Sequence, residues 1–402
     1  MKILFVCSKP PYPPVDGGAI ATYRLVSGLA NLGHDITILS MNTLKHWVNY
    51  EKFPDEIKKS YDWNLVRIDT KIRPFKVFAN LILSKLPYNL ERFISIEFAN
   101  ELKLLIQKKE YDIIHFEGLF AAFYIEVAKY LSKAQIAFRP HNVEHEIWER
   151  KANHHRNVFV KKYLNLISKR LRHFEYKIIN QYDLLIPITE RDAKTFQKHG
   201  NHKPHIVLKA GFDFSELKKL QNIKVEHPSV FFIGALDWQP NIDGVMWFLK
   251  ECWPEIKKCA ANTKMYIAGR NADEEIRNFL NHLHVNFLGE IPNAYEFIAS
   301  KSIMIVPLFS GGGMRVKIVE GMALGKAIVS TKIGAEGIGA GEKEISIANG
   351  REEFIHHVLQ LIQNKDKCME MGNLAKSFAI KHFDNLKLAN DLSDFYLNHL
   401  TN

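Results

Sequence analysis

Residues 310–321, SGGGMRVKIVEG, put three consecutive glycines, two cations and one carboxylate into a single short stretch. Gly311, Gly312 and Gly313 let a backbone come very close to a ligand, at a cost in chain entropy. Val316, Val319 and Ala323 recur at spacings of three and four, which predicts a helix opening near Met314 or Arg315 and ending at Gly325. Its unpaired N–H groups and the positive end of its dipole would then point into the glycine loop. Arg315 adds a planar, multi-donor cation and Lys317 a point charge. That combination suits a phosphate or diphosphate, and it suits the negative charge that grows on a departing phosphate. A surface turn with a solvated arginine is the competing reading. Glu320, one turn past Arg315, belongs either against ribose hydroxyls or in an ion pair with Lys317; spacing leaves both open.

A second group of reactive residues lies in HNVEHE, which holds His141, Glu144 and His145. His141 is a candidate site residue, with a loop hydrogen bond to Glu144 or to backbone as the alternative. Glu117 and Gly118 line a ligand pocket or form a solvated loop. Trp238 stacks on a ligand or is a buried aromatic. No GxxxxGK[ST] is present, and PPYPPVDGG, which carries Gly17 and Gly18, lacks GxGxxG. Asp16, Asp237 and Asp243 each stand apart from a second carboxylate, so there is no DxD clamp and no metal is expected. The four cysteines have no metal-ligand spacing, and their scatter suits a reducing compartment.

These residues need strand ends to hold them. KILFVCS, DITILS, YDIIHFE, AQIAFRP and DLLIPIT read as strands separated by helical stretches, with HIVLKAGFD closing that half. SVFFIGAL, TKMYIAG, VNFLGEI, SIMIVPLF and KAIVSTK repeat the pattern. Strands alternating with helices predict an α/β chain with two doubly wound parallel sheets. The expected division is 1–208, 209–380 and a terminal helix over 381–402 that packs on either half, with the polar stretch Glu216 to Pro228 as linker. Ligands of such sheets bind beyond the carboxyl ends of the strands. PPYPPVDGG, HNVEHE, GALDW, AGRN, GEIPNAYE and SGGG all fall there, which predicts a cleft between two domains facing each other.

Composition excludes less. The chain has 402 residues, 47% of them apolar and 24% charged, ordinary for a globular protein of two or three domains. Its net charge of +10 suits nucleic acid, anionic lipid or a phosphorylated substrate alike. The cationic run VKKYLNLISKRLRHFE has no nucleic-acid recognition fold around it, so a solvated helix face comes first and contact with anionic lipid second. Lys71 to Phe93 is basic and amphipathic; it forms a helix pair packed on its domain or lies on a membrane surface. No apolar run approaches the length of a membrane span, and the first strand is too short for a secretory signal. The expected location is cytoplasmic, with peripheral contact at the inner face of the membrane left open.

Four stretches together resemble a known family. KILFVCSKPPYPPVDGGAIATYRLVSGLANLGHDITILS, FRPHNVEHEIWER, FFIGALDWQPNIDGVMWFL and SGGGMRVKIVEGMALGKAIVSTKIGAEGI are similar to the family-four retaining glycosyltransferases of the GT-B fold, in the branch that builds bacterial cell-surface polysaccharides. The resemblance implies two Rossmann-like domains and a UDP- or GDP-linked sugar held mostly by the second. It implies Gly17 and Gly18 near the donor phosphates and His141 near the transferring sugar. Arg315 and Lys317 would neutralise the diphosphate, with Gly312, Gly313 and Met314 beside it. Glu320 would bind ribose, and Ile291, Pro292 and Tyr295 would border the base; Arg270 of the AGRN loop joins this donor set. The acceptor would be a glycan or a lipid-linked sugar, with no cofactor and no nucleic acid. Retention by same-face attack, with the leaving phosphate helping to take the acceptor proton, also comes from the resemblance, because no pair of flanking carboxylates is identifiable.

The chain departs from the family pattern at two places. Gly312 stands where the first glutamate of a paired-glutamate motif is usual, eight residues before Glu320. Ala235 and Asn241 stand roughly where an Arg and a Lys are usual, which leaves Arg315 and Lys317 to supply the charge. A nonenzymatic sugar-nucleotide binder and a GT-B epimerase are the alternatives to transfer.

Overall fold

The computed structural model describes residues 1–400 apart from 221 and 284. The chain divides into two compact units, Met1–Ala210 with Leu386–Asn402, and Gly211–Asn385. The polar stretch 216–228 lies inside the second unit.

The first unit is built on six parallel strands: β1 (Lys2–Cys7), β2 (Asp35–Thr43), β3 (Asp62–Ile68), β4 (Ile113–Glu117), β5 (Gln135–Arg139) and β6 (Leu184–Leu185). Their order is β3-β2-β1-β4-β5-β6. The second unit repeats the plan with β7 (Ser229–Ile233), β8 (Lys264–Ala268), β9 (Asn286–Gly289), β10 (Ile303–Val306), β11 (Ala327–Ser330) and β12 (Ser346–Ile347). Their order is β12-β11-β10-β7-β8-β9. Central strand β10 is apolar along its length and wholly buried, as a strand covered on both faces must be, and β4 and β11 are equally buried although they carry His115, Glu117 and Ser330. Edge strand β3 escapes the sequence reading because its burial is only partial and its polar residues break the apolar run. HIVLKAGFD contributes no strand; it meets β6 through a single bridge between Leu185 and His205.

In both sheets the strand order reverses beside the first strand, between β1 and β4 and between β7 and β10. Chains leave a reversal point on opposite faces, which opens a crevice at the carboxyl ends of the two strands. The loop that leads into Gly17 and Gly18 and the end of β4 at Glu117 flank the first crevice. The loop carrying Gly234 and Trp238 and the SGGG loop flank the second.

Eight helices matter to the site and surface: α1 (Gly17–Asn31), α2 (Pro74–Leu83), α3 (Glu144–His154), α4 (Val158–Ile178), α5 (Gln239–Trp247), α6 (Ala294–Ser300), α7 (Val316–Ala323) and α8 (Asn385–Leu397). Ala389, Leu392 and Tyr396 of α8 are fully buried in the first unit, beside Phe5, Leu25 and Ile36. That apolar face holds the end of the chain in the first unit's core. Helix α2 is tied down by Arg170 of α4, whose guanidinium donates to Asn80 Oδ1 at 3.1 Å and to Leu81 O at 2.9 Å. Its other face is bare: Phe75 is 82% exposed and Phe78 61% exposed. Among the described residues no helix is long and apolar enough to cross a membrane.

Candidate active site

In the second unit the predicted residues converge around the start of α7. The helix opens at Val316 with Arg315 as its N-cap residue. Gly311 and Gly313 hold φ of 111° and 75°, in the left-handed region that side chains rarely tolerate. Their turn folds the loop so that the Arg315 guanidinium reaches back to it. Nη1 donates to Gly313 O at 3.0 Å and also to Gly312 O. The guanidinium carbon lies 5.4 Å from the centre of the Trp238 ring. Trp238 therefore backs the arginine and is 38% exposed rather than buried. Arg315 itself is buried.

Two residues along, Lys317 turns toward the end of β7. Its Nζ donates to Asn241 Oδ1 at 2.9 Å and lies 4.3 Å from the centre of the Phe232 ring. Burial and the neighbouring Arg315 push the ammonium down to about 7, with Glu320 pulling the other way. Glu320 is buried and accepts from the Tyr295 hydroxyl at 3.4 Å. Tyr295, near the start of α6, packs with Ile291 and Met314 against one apolar cluster. Arg270 joins through its backbone: its carbonyl accepts from Leu236 N at 2.9 Å, two residues before Trp238. The structure thus brings Arg315, Lys317, Glu320, Tyr295, Ile291, Met314 and the three glycines to the carboxyl-end side of the second sheet. It adds Trp238 and Asn241 as direct partners of the two cations.

The first unit gathers a different set. Gly17 and Gly18 open α1, and Asp16 caps that helix by accepting from Ala19 N at 3.0 Å. Lys9 pairs with Asp16, and a Cβ on Gly18 would meet its Nζ at 3.0 Å. Burial opposes ionisation of Asp16, but Lys9 and the helix N–H outweigh it and bring the carboxyl down to about 2. Lys9 is therefore a cation at the glycine pair that no motif in the sequence singled out.

His141 points inward to Glu117, its Nε2 2.5 Å from Oε2. Glu117 is not a solvated loop residue: it is the last residue of β4 and only 1% exposed. Arg139 Nη1 lies 3.4 and 3.3 Å from its two oxygens, His115 Nε2 lies 3.1 Å from Oε1, and Thr22 of α1 donates to Oε2 at 3.2 Å. Burial alone would raise this carboxyl, but Arg139 and the hydrogen bonds from His115 and His141 hold it well below the usual carboxylate range. Thr22 Oγ1 is also 3.0 Å from Gly18 O, so the glycine turn and His141 share one polar cluster. His145 and Glu144 form a separate support. Glu175 of α4 accepts from Glu144 N at 2.8 Å, from His145 N at 3.1 Å and from His145 Nδ1 at 2.5 Å, capping the start of α3. Among the described residues no group of three or more His, Cys, Asp and Glu is placed to hold a metal ion.

The chain matches two family profiles, one described as Glycosyltransferase Family 4 over residues 15–215 and one as Glycosyl transferases group 1 over residues 227–364. An uncharacterized 44.6 kDa protein in the cps region of Klebsiella pneumoniae is 24% identical over 399 residues, 96% of this chain and 97% of its own. Among solved structures, Anabaena Alr3699/HepE in complex with UDP superposes with a TM-score of 0.66 at 13% identity, covering 99% of this chain and 100% of that one. WaaG, a glycosyltransferase involved in lipopolysaccharide biosynthesis, gives 0.66 at 14% identity, covering 98% and 99%. Both are likenesses of fold.

Proposed function

The chain belongs to the family-four glycosyltransferases and has their GT-B fold, and on that premise we propose that it is a retaining transferase that moves a sugar from a nucleotide-diphosphate sugar to a glycan or lipid-linked acceptor in cell-surface polysaccharide assembly. The observation that carries the reading is the pairing of two buried or partly buried cations, Arg315 and Lys317, at the open end of α7 beside a glycine turn. Two cations that close together repel, so the arrangement is costly until an anion shares them. The relative in a cps region and the likeness to a lipopolysaccharide transferase support the polysaccharide setting. The UDP held by the HepE structure supports a uridine donor.

Each group then has a role. Arg315 and Lys317, with the free N–H groups of α7, take up the negative charge that grows on the leaving phosphate as the anomeric bond breaks. Gly311 and Gly313 supply the turn that lets backbone meet that phosphate. Glu320, set by Tyr295, binds the ribose hydroxyls. Ile291, Tyr295 and the Arg270 loop border the base. Gly17, Gly18 and Lys9 serve the donor from the first unit, and His141 orients the transferring sugar. The attacking hydroxyl gives its proton to the leaving phosphate on the same face, which is how configuration is kept. Peripheral contact with an anionic membrane at the cytoplasmic side fits the bare face of α2, where Phe75, Phe78, Ile82 and Leu83 are exposed among Lys71, Arg73, Lys76 and Lys85.

A thermal-shift screen with UDP, GDP and their sugars tests the donor. A ligand that binds only the folded state at about 100 times its Kd adds roughly 2.7 kcal/mol of stability. The expected result is a rise in Tm with one nucleotide and its sugar, followed by transfer products of retained anomeric configuration. No shift with any of them overturns the reading. Gly312, in place of a sugar-contacting glutamate, favours a second reading, a nonenzymatic donor binder. Tight donor binding with neither transfer nor slow hydrolysis would establish that one.

A further inference from the structure

Behind His141 lies a chain of buried polar groups that ends on the C-terminal helix. Tyr396 of α8, fully buried, hydrogen-bonds to His115 Nδ1. His115 is fully buried as well, and its Nε2 is 3.1 Å from Glu117 Oε1. Burial keeps His115 neutral and keeps the Tyr396 phenol protonated. The direction of each bond is then determined. The phenol donates to Nδ1 of His115, and Nε2–H of His115 donates to Glu117. Arg139 and Thr22 fill further lone pairs of that carboxylate. An ionised carboxylate can only accept. The contact at Oε2 therefore requires a proton on His141 Nε2.

We propose that Glu117 is the positioning residue for His141, fixing the imidazole with its proton on Nε2 so that Nδ1 is left as the acceptor for a hydroxyl of the sugar. Tyr396 and His115 complete the device by fixing Glu117 from behind, which makes the last helix of the chain part of the site's supporting structure. The inference rests on the role given to His141 above. It goes beyond that role by naming the nitrogen that meets substrate and the groups that select it. A Glu–His pair held only for stability would fix the same tautomer but would leave the kcat of a folded E117Q unmoved.

The test is nitrogen-15 NMR of histidine-labelled full-length protein, with His141 assigned by its loss in H141A, together with turnover of H141A, E117Q, Y396F and the double variant H141A/E117Q. The wild-type spectrum should show His141 protonated on Nε2 at neutral pH. Glu117→Gln presents an amide that donates as well as accepts, so the tautomer should mix. The kcat of E117Q should fall roughly 10²-fold with donor KM nearly unchanged. Y396F, which keeps the ring and its packing, should lose about 3- to 10-fold in kcat. E117Q should cost nothing further in the H141A background. A wild-type His141 protonated on Nδ1 overturns the proposal whether or not any variant folds. So does a full E117Q loss that persists without His141. An H141A enzyme with unimpaired turnover removes the role of His141 itself, and the proposal with it.

Discussion

Lys317 Nζ stands where a side chain on Gly234 would have to be: a Cβ at that glycine would come within 2.6 Å of it. The same ammonium is 2.9 Å from Asn241 Oδ1. The first loop of the second unit thus lacks a cation of its own, with Ala235 and Asn241 at those places, and receives one from α7. Substituting Gly234 removes the room. G234A should therefore weaken UDP binding nearly as much as K317M, although it removes no charge; equal UDP affinity in G234A and wild type would contradict the arrangement.

The same lysine predicts a proton uptake. Unliganded, its ammonium titrates at about 7. A diphosphate beside it favours the charged form and raises that value. Between the two values binding takes up a proton, so affinity falls as pH rises above about 7, by at most about tenfold per pH unit for one proton. Calorimetry of UDP binding at pH 8, in two buffers of different ionisation enthalpy, should report uptake of a fraction of a proton to one proton, and K317M should abolish it. Absence of uptake in the wild type would contradict the assignment.

Arg315 is expected to act on turnover more than on binding. R315A should lower kcat by roughly 10²-fold, typical for loss of one group that meets charge developing in the transition state. R315K should recover little, because a Lys ammonium is a compact point charge without the planar array of donors that Arg315 presents beside the Gly312 and Gly313 carbonyls and Trp238. Steady-state kinetics with the donor identified by thermal shift measures both; near-normal kcat in R315A removes the arginine from the mechanism.

The sequence made the second-unit set readable because its residues are close together in the chain. The glycine run, the cations and the periodicity of Val316 and Val319 all lie within one loop and helix, and α7 begins one residue past Arg315. The strands were readable from apolar runs that both-face burial demands. The partners of those residues were not. Glu117 and Tyr396 are 279 positions apart and meet only through His115 and the return of α8. Glu117 follows an apolar strand, where a carboxylate reads equally as the first residue of a loop; its burial is decided by Arg139 on the neighbouring strand, its register partner. Lys9 was obscure for a similar reason, since only the cap at Asp16 draws it to Gly18.

Glu144 gives a stability prediction that depends on pH. Burial and the nearby Glu175 raise its carboxyl to about 7, against a hydrogen bond from Asn142 that lowers it. In the unfolded chain a glutamate titrates near about 4.3. The folded value is the higher one, so the stabilising contribution is complete below about 4.3 and is lost as pH rises through about 7. E144Q, which stays neutral, should match the wild type near pH 4 and exceed it at pH 8 by about 1–3 kcal/mol. Urea denaturation at the two pH values measures this; a difference that does not grow with pH refutes the burial argument.

The bare face of α2 predicts binding to anionic lipid. Phe75, Phe78 and Ile82 are exposed at spacings of three and four on one helix, and residues 71–90 carry four basic side chains and no acidic one. Basic residues near such a surface are worth about 1 kcal/mol each, so screening by salt should weaken the contact. Co-sedimentation with phosphatidylglycerol vesicles should retain the protein, phosphatidylcholine vesicles should not, and F75S/F78S should reduce retention by about tenfold or more while leaving the thermal transition in place. Equal retention on both lipids would point to adsorption without charge recognition.

The three glycines should not be equivalent. Gly311 and Gly313 sit at positive φ, and a Cβ on Gly311 would also come within 2.8 Å of Arg315 Nη2 and 3.2 Å of the Trp238 ring. Gly312 does not share that left-handed backbone. Alanine at 311 or 313 should cost about 1–2 kcal/mol of stability from backbone strain, and at 311 it should also displace the guanidinium and lower kcat. Alanine at 312 should be close to neutral in stability. The backbone φ therefore does not bar the glutamate that the family resemblance would place there, and its absence is a choice of side chain rather than of conformation. G312E should fold with an unchanged Tm and alter which donor sugar is turned over fastest, because its carboxylate would reach the sugar and not the diphosphate. Comparing kcat/KM across several UDP-sugars for G312E and wild type decides this. An unaltered ranking at full activity would mean that position 312 does not face the sugar.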